Sequence, residues 1–241
     1  MEIIFQMKDI VKDYRGHHAI DNSSMTIKRG DIYGFVGENG AGKSTVIRLI
    51  CGLITQTSGS YELFGVDSKE NVLHIVRKKI AAIVENVAIS PNLTAMENLT
   101  AQAKLLGIKD KNVITQTLYT VGLGNVINDK KKAKNFSLGM KQRLGLANAL
   151  LSNPEFIILD EPTNGLDPTG IFELRELIIR LNKEKNVTFL ISSHNLDELS
   201  KMATCFGFIT RGKIVKEIQS SEIENETALE EMFRTITRGA L

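Results

Sequence analysis

Gly37-Glu38-Asn39-Gly40-Ala41-Gly42-Lys43-Ser44 is the most informative stretch of this chain. It directly follows the apolar run at residues 32–36 and directly precedes a helix-like segment that starts at Thr45. The spacing G-x-x-x-x-G-K-S between a strand and a helix is typical of a loop that binds phosphate groups. Glycines suit such a loop because its backbone has to curl with the N–H groups pointing inward, in conformations that side chains disfavour. The pattern therefore predicts a strand, a phosphate-binding loop and a helix.

Two side chains of this loop have expected roles of their own. Lys43 is expected to reach the β- and γ-phosphates of a nucleotide, and Ser44 to hold Mg²⁺ with its hydroxyl. The positive N-terminal end of the following helix favours the same anion. The alternative is a flexible glycine loop that binds nothing.

Length and composition are those of an ordinary globular protein: 241 residues, of which 42% are hydrophobic, are enough for a buried core. We expect neither a membrane span nor a secretory signal. The formal net charge of +2 is too small to predict binding to nucleic acid, and the basic run at 130–134 is expected to be a solvated face. Cys51 and Cys205 lie in apolar segments, so we expect reduced core thiols.

The order of apolar patterns predicts an α/β fold. The first 30 or so residues indicate short strands of a peripheral antiparallel sheet, with turns at Gly16 and Gly30. Unbroken apolar runs at 156–159 and 187–191 indicate central parallel strands that are covered on both faces. Between them we expect a helix that begins after Asp167.

The pattern between these regions predicts an inserted helical lobe at 88–152, where the sequence is polar and helix-spaced. A catalytic lobe is expected to combine residues 1–87 and 153–220. Its last part, at 213–218, is expected to be an edge strand. A C-terminal helical tail is expected at 221–241, which completes a single domain.

Two adjacent carboxylates, Asp160 and Glu161, follow one of the predicted buried strands. The carboxyl ends of strands are where α/β sheets bind their ligands. We expect Asp160 to hold Mg²⁺, and Glu161 to orient or deprotonate an attacking water. A pair that only caps the following segment is the alternative.

Taken together, the motifs over residues 14–194 resemble the nucleotide-binding subunit of an ABC transporter. Residues 37–44 are similar to its Walker A loop and residues 156–161 to its Walker B strand. The segment Phe136-Ser137-Leu138-Gly139-Met140-Lys141-Gln142-Arg143 resembles the ABC signature, and residues 164–167 resemble the D-loop. The implied fold is a P-loop ATPase with a RecA-like parallel-sheet core, a peripheral antiparallel sheet and an inserted helical subdomain.

The resemblance also implies a role for individual residues. It implies catalytic roles for Lys43, Glu161 and His194, the last as the switch histidine. It implies ATP binding by Tyr14, Gly37, Glu38, Asn39, Gly40, Ala41, Gly42, Lys43, Ser44 and Thr45, with Tyr14 stacked on adenine. It implies that Ser137, Gly139 and Met140 serve the nucleotide of a second copy, that Asp167 belongs to the D-loop, and that Ser44, Asp160 and Glu85 face Mg²⁺.

Two departures from the family pattern stand out. The signature usually begins Leu-Ser-Gly-Gly-Gln, whereas Leu138 stands here in place of the first glycine and Met140 in place of the glutamine. Glu85 occupies the place of the Q-loop glutamine. A carboxylate is a harder, charged Mg²⁺ ligand than an amide. Together with the segment 90–99, these departures resemble the bacterial branch that handles bacitracin and lantibiotic-type antimicrobial peptides.

Partners follow from the same resemblance. One chain carries one Walker A loop and one signature, so we expect a homodimer, or a pair of nucleotide-binding subunits, with ATP between Lys43 of one copy and Ser137 of the other. We expect one or more integral membrane permease subunits and a peripheral location at the cytoplasmic face of the cell membrane. The expected role is to power the export or expulsion of an antimicrobial peptide.

Two alternatives stay open. A soluble ABC-type ATPase that acts on the ribosome or on DNA would use the same nucleotide site. A P-loop kinase or GTPase explains the phosphate-binding loop but not the signature-like segment. His17, His18 and His74 have no motif partners and are expected to be surface residues.

Overall fold

Ten strands form two sheets in the part of the chain, residues 2–84 and 87–238, that the computed structural model describes. In chain order the strands are β1 (Ile3–Tyr14), β2 (His17–Lys28), β3 (Ile32–Val36), β4 (Ser58–Leu63), β5 (Val66–Asp67), β6 (Ile80–Ile83), β7 (Phe156–Asp160), β8 (Thr188–Ser193), β9 (Cys205–Thr210) and β10 (Lys213–Gln219). The α-helices are α1 (Lys43–Ile50), α2 (Leu73–Val76), α3 (Ala95–Leu105), α4 (Lys111–Thr120), α5 (Leu138–Leu150), α6 (Pro168–Lys185), α7 (Leu196–Ser200) and α8 (Glu226–Arg238).

The smaller sheet has the strand order β2-β1-β4-β5, and its strand pairs are antiparallel. The prediction of short strands over the first 30 residues was wrong, because β1 and β2 are each 12 residues long. Several register shifts interrupt their pairing, and Asp9 has a φ of 49° within β1. Such bulges break the two-residue alternation by which a long strand is recognised in a sequence.

The larger sheet has the strand order β10-β9-β3-β8-β7-β6. All neighbours in it are parallel except β9 and β10, so β10 is an antiparallel edge strand at the predicted place. Strands β3 and β8 are buried along their whole length. Their unbroken apolar runs place them in the middle of the sheet, where helices and the smaller sheet cover both faces.

The hydrophobic core lies on the two faces of this larger sheet. Phe189 and Ile191 of β8 pack on the side of α5 and α6, whereas Leu190 packs on the side of α1 and the antiparallel sheet. This alternation follows from the two-residue period of a strand. Cys51 is half-buried and Cys205 is buried, and both thiols are free, as predicted.

Helix α6 begins where the sequence predicts. Asp167 is its N-cap residue and accepts a hydrogen bond from the backbone N–H of Gly170 at 2.9 Å, and proline occupies the first turn. Leu174, Ile178 and Leu181 are buried on one face of the helix. This face belongs to the same core cluster as residues of β7 and β8.

Between β6 and β7 the described residues contain α3, α4 and α5 and no strand. Helix α3 has a capping box, in which Thr94 and Glu97 satisfy each other's backbone N–H groups. The buried side chain of Asn98 binds the backbone N–H and C=O of Ser90. The backbone N–H groups of Ala133 and Lys134 donate to residues 91–93, which ties the residues just before the signature segment to the loop before α3.

The C-terminal helix α8 packs against the larger sheet and α7. Leu229 is buried, and the ring of Phe233 lies 6.2 Å from that of Phe208 in β9. None of the helices in the described ranges combines the length and apolar character that a membrane crossing requires.

Candidate nucleotide-binding site

The phosphate-binding loop joins β3 to α1, and two of its glycines are required by the backbone. Gly42 has a φ of 114°, and a Cβ atom there would lie 2.6 Å from the carbonyl oxygen of Ala19. A Cβ atom at Gly37 would lie 2.5 Å from the carbonyl oxygen of Ile209. The loop is therefore held tightly between β2 and the end of β9, and other residues at these two positions would displace it.

Lys43 begins α1, and its side chain turns back into the loop. Its Nζ donates hydrogen bonds to the carbonyl oxygens of Gly37 at 2.6 Å and Glu38 at 3.2 Å. The same Nζ lies 3.3 Å from Oε1 of Glu161, and the lysine side chain is only 6% exposed. A buried ammonium group in a curled loop of backbone N–H groups is a binding site for phosphate oxygens.

Asp160 and Ser44 meet at the carboxyl end of β7. The hydroxyl of Ser44 donates to Oδ2 of Asp160 at 3.0 Å, although the two residues are 116 positions apart in the chain. The other carboxylate oxygen of Asp160 accepts a hydrogen bond from the hydroxyl of Ser192. The sequence pattern gave Ser192 no role; the only signal for it is a hydroxyl residue directly after the apolar run 187–191.

Glu161 has a left-handed backbone conformation, with a φ of 49°. Its backbone N–H is held by the hydroxyl of Ser192 at 3.0 Å. Its carboxylate lies between two cationic or titratable groups, since Oε1 is 3.3 Å from Nζ of Lys43 and Oε2 is 2.9 Å from Nδ1 of His194. The structure thus places Glu161 in direct contact with both of the other residues that are predicted to be catalytic, Lys43 and His194.

A pocket of about 350 Å³ opens in front of the loop. Tyr14, His17, Lys43 and Glu161 are among the residues that line it. The ring of Tyr14 is 44% exposed and carries the ammonium of Lys12 at 4.8 Å from its centroid. His17 is exposed, as expected, but it also lies beside Tyr14 in this pocket, a position that no sequence motif indicated.

The loop residues predicted to bind ATP mostly line the same pocket. They are Glu38, Asn39, Gly40, Gly42, Lys43, Ser44 and Thr45. Gly37 and Ala41 lie behind them, where Ala41 is buried and its carbonyl oxygen accepts a hydrogen bond from the N–H of Gly212.

A second cleft, of about 690 Å³, adjoins the first, since Ser44 and Glu161 line both. Leu138, Lys141 and Gln142 of α5 also line it. Asp160 at the end of β7, Glu161 and the start of α5 therefore line the same open cleft within a single chain.

The signature residues have separate environments at the start of α5. Ser137 is exposed, and its hydroxyl oxygen caps the helix by accepting the N–H of Met140 at 3.2 Å. The hydroxyl hydrogen of Ser137 can still be donated to an anion. A Cβ atom at Gly139 would meet nothing closer than 3.6 Å, so one chain by itself does not require glycine there. The side chain of Met140 is partly buried against the core.

The remaining predicted site residues lie outside these contacts. Asp167 caps α6 in this structure. Glu85 falls outside the residues that the structure describes, so its predicted position near the metal has no structural counterpart here. Leu138, the residue that replaces the first signature glycine, is 44% exposed and lies over Gly165 of the D-loop segment.

The donor set at Asp160 is suitable for Mg²⁺. Carboxylate and hydroxyl oxygens are hard ligands, and Mg²⁺ commonly takes one or two protein oxygens while phosphates and waters complete its shell. The described residues contain no cluster of three or more His, Cys, Asp and Glu side chains that could hold a metal without such help. Ser44 and Asp160 therefore fit a metal that arrives with a nucleotide.

Comparison with known proteins identifies the family. The profile of the family described as ABC transporter matches residues 20–164. The bacitracin transport ATP-binding protein BcrA of Bacillus licheniformis is 50% identical over 218 residues, which are 90% of this chain and 70% of that protein. The lantibiotic transport ATP-binding protein SrtF of Streptococcus pyogenes is 42% identical over 230 residues, 95% of this chain and 96% of that protein.

Two solved structures share this fold. The structure of cbiO1 from Clostridium perfringens, part of the ABC transporter complex cbiONQ, has a TM-score of 0.83 at 24% identity and covers 98% of this chain and 95% of that one. The dimeric ATP-binding cassette MJ0796, bound to ADP and Pi, has a TM-score of 0.76 at 24% identity and covers 90% and 98%. They confirm the predicted α/β fold with its peripheral sheet and helical insertion. This chain therefore belongs to the ABC transporter family, as an ATP-binding subunit that is an ATPase.

Proposed function

We propose that this ATPase powers a separate membrane permease that expels an antimicrobial peptide of the bacitracin or lantibiotic type. Two relatives, at 50% and 42% identity, are named for bacitracin transport and lantibiotic transport, which supports this class of cargo. The chain would act at the cytoplasmic face of the membrane, docked on the permease. The transported molecule would contact the permease, so peptide selection lies outside this chain.

The environment of the signature residues is the observation that supports a dimer. Ser137 is exposed and does not line the pocket that holds Lys43, and Gly139 has room for a side chain within one copy. A hydroxyl and a glycine N–H at the start of a helix form an anion site that one chain leaves open. Two copies facing head to tail would place ATP between Lys43 of one and Ser137 of the other.

Within such a dimer the residues divide the work as follows. Lys43 and the backbone N–H groups of the loop bind the phosphates, and Tyr14 stacks on the adenine ring. Mg²⁺, held by Ser44 and Asp160, would offset the charge of the phosphate oxygens. Glu161 orients the attacking water and accepts its proton, and His194 contacts the γ-phosphate and responds to its loss. ATP then joins the two copies, and hydrolysis separates them.

Capture of the native partners tests the permease. The tagged chain is purified from detergent-solubilised native membranes, and co-purifying proteins are identified by mass spectrometry. A multi-span protein in stoichiometric amount supports the proposal and provides the component that selects the cargo. Ribosomal or DNA-bound partners without a permease would contradict it and favour the soluble alternative, with the ATPase activity unaffected.

The peptide class needs a second experiment. Cells that express the chain with its permease are exposed to bacitracin, to a lantibiotic and to an unrelated cell-wall antibiotic. The inhibitory concentration of each compound is compared with that for cells without the transporter. An increase for one of the two peptides alone, which disappears in the Glu161→Gln variant, supports the proposed cargo. No increase for any of the three compounds contradicts it.

A further inference from the structure

Ser192 occupies a buried position next to both acidic residues of the site. It lies near the end of β8, directly opposite Asp160 of β7 and Phe35 of β3 in the sheet register. Its exposure is 0%. A fully buried hydroxyl has to find its hydrogen-bond partners within the protein.

The hydroxyl of Ser192 makes two hydrogen bonds of opposite sense. It donates its hydrogen to Oδ1 of Asp160. Its oxygen accepts the backbone N–H of Glu161 at 3.0 Å. A single side-chain atom thus contacts the carboxylate of one acidic residue and the backbone of the next.

The first bond orients the carboxylate of Asp160. With Oδ1 engaged by Ser192, the other oxygen faces Ser44 of the phosphate-binding loop, at 3.0 Å from its hydroxyl. A carboxylate held on one side in this way presents the opposite oxygen in one direction. Groups that orient a metal ligand affect metal affinity and activity although they do not touch the metal.

The second bond stabilises an unfavourable backbone conformation. The φ of Glu161 is 49°, a region that residues other than glycine seldom occupy. Its N–H is shared between the hydroxyl of Ser192 at 3.0 Å and the carbonyl oxygen of Ser192 at 3.2 Å. This backbone turn brings the carboxylate of Glu161 to Lys43 and His194.

We propose that Ser192 is a positioning residue for ATP hydrolysis: its hydroxyl aims Asp160 at Ser44 and the metal, and holds the backbone turn that presents Glu161 to the attacking water. The inference rests on the proposed roles of Asp160 and Glu161. The proposed role requires a side chain that donates one hydrogen bond and accepts another at the same time. A hydroxyl group can do both, and an alkyl group can do neither.

Substitutions at Ser192 separate this role from packing. Ser192→Ala removes both hydrogen bonds, and Ser192→Thr keeps them at the cost of one methyl group. Ser192→Cys keeps the size but offers only a weak donor and a weak acceptor, so it supplies the comparison if the alanine variant does not fold. Thr188→Val is the matched control, because Thr188 is also 0% exposed on β8 and its hydroxyl also accepts a backbone N–H, that of Gly30 at 3.0 Å.

Two measurements on the purified chain test the proposal. We expect Ser192→Ala to lower kcat about 10- to 100-fold, with ATP affinity in EDTA changed by less than about threefold. The gain in ATP affinity that Mg²⁺ produces, measured by fluorescence anisotropy of a labelled ATP, should shrink in Ser192→Ala. Ser192→Thr should retain more activity than Ser192→Ala, and Thr188→Val should keep the wild-type kcat and response to Mg²⁺.

The outcomes separate the proposal from its premise. A wild-type kcat and Mg²⁺ response in Ser192→Ala, or an equal loss of kcat in Thr188→Val, would overturn the role of Ser192. Asp160→Asn and Glu161→Gln are measured in parallel. If those two variants hydrolyse ATP normally, the assignment of the site itself is wrong. If they are inactive while Ser192→Ala keeps the wild-type activity, only the positioning role of Ser192 is wrong.

Discussion

Nδ1 of His194 lies 2.9 Å from Oε2 of Glu161, and the opposite oxygen of the same carboxylate lies 3.3 Å from Nζ of Lys43. Glu161 therefore joins the residue proposed to sense the γ-phosphate to the residue proposed to bind it. Lys43 is only 6% exposed, so a phosphate that binds it has to compete with Glu161 for its ammonium group. Nucleotide binding would thus free the carboxylate of Glu161 to orient the attacking water and accept its proton.

Replacing Glu161 by glutamine should trap the ATP-bound dimer. An amide does not accept a proton from water, so hydrolysis stops while the phosphates still bind. We expect Glu161→Gln to elute as a dimer in Mg-ATP and as a monomer in ADP, measured by size-exclusion chromatography with light scattering. Glu184→Gln, an exposed change on α6, is the control. A variant that remains monomeric in Mg-ATP would refute the two-copy site.

Lys43→Ala should weaken the binding or the hydrolysis of ATP. The ammonium group is the buried cation of the loop and is expected to bind two of the phosphates. For the wild type, ATP at about 100 times its Kd adds about 2.7 kcal/mol of stability, which is several degrees in Tm. We expect Lys43→Ala to lose most of this shift in a thermal unfolding assay.

Lys201→Ala is the control for Lys43→Ala, since Lys201 is exposed and forms its ion pair with Asp197 at 2.8 Å, within the surface helix α7 and the residue after it. It should keep the full ATP-induced shift in Tm. Lys43→Ala with both the wild-type shift and the wild-type ATPase rate would show that the lysine has no part in the site.

Two glycine-to-alanine changes should have opposite effects. Gly37→Ala places Cβ 2.5 Å from the carbonyl oxygen of Ile209, so we expect a loss of about 1–3 kcal/mol in the free energy of unfolding. Gly139→Ala meets only ordinary contacts in α5, and alanine favours a helix by roughly 0.5–1 kcal/mol, so the stability should not fall.

The effect of Gly139→Ala should instead appear in assembly. Combined with Glu161→Gln, it should reduce the dimer fraction in Mg-ATP, because the added methyl group stands where the second copy's nucleotide is expected. Chemical unfolding and light scattering give the two readouts. A double variant that dimerises like Glu161→Gln alone would contradict the proposed position of Gly139 in the dimer.

Tyr14→Ala should weaken ATP binding without affecting triphosphate binding. Loss of an aromatic stack costs about 1 kcal/mol, or about fivefold in Kd. Inorganic triphosphate lacks a base. Its Kd, measured by competition with a labelled ATP, should therefore be the same for Tyr14→Ala and for the wild type. Tyr119→Ala, an exposed tyrosine in α4, is the control. An equal loss for ATP and triphosphate would argue against stacking on adenine.

Cys51 should react slowly with thiol reagents at neutral pH. Burial disfavours the thiolate and raises its pKa from 9.0 to about 11, and burial raises the pKa of Cys205 further. At pH 8 the thiolate fraction of Cys51 is then about 100-fold below that of a thiol with the ordinary value. The rate of labelling by iodoacetamide should rise about tenfold per pH unit up to pH 10. A labelling rate that reaches a plateau near pH 9 would contradict the raised pKa. The same measurement on urea-unfolded protein gives the reference rate for a thiol with the ordinary pKa.

Much of the fold was accessible from local patterns. The phosphate-binding loop, the buried runs of β7 and β8, and the start of α6 at Asp167 each depend on residues that are close in the chain. The length of β1 could not be predicted in this way, because bulges interrupt the alternation of buried and exposed residues along the strand. Glu85 stays a prediction from sequence, since it lies outside the described residues.

The P-loop fold, the candidate nucleotide-binding residues and the family could be predicted from the amino-acid sequence alone, because they rest on glycine spacing, apolar runs and ordered motifs. Two features required the folded structure: Ser192 contacts both Asp160 and Glu161, and Ile209 limits the loop at Gly37. The physical reason is distance along the chain. These contacts depend on the register of parallel strands that come from separate segments, and no local pattern encodes a register between such segments.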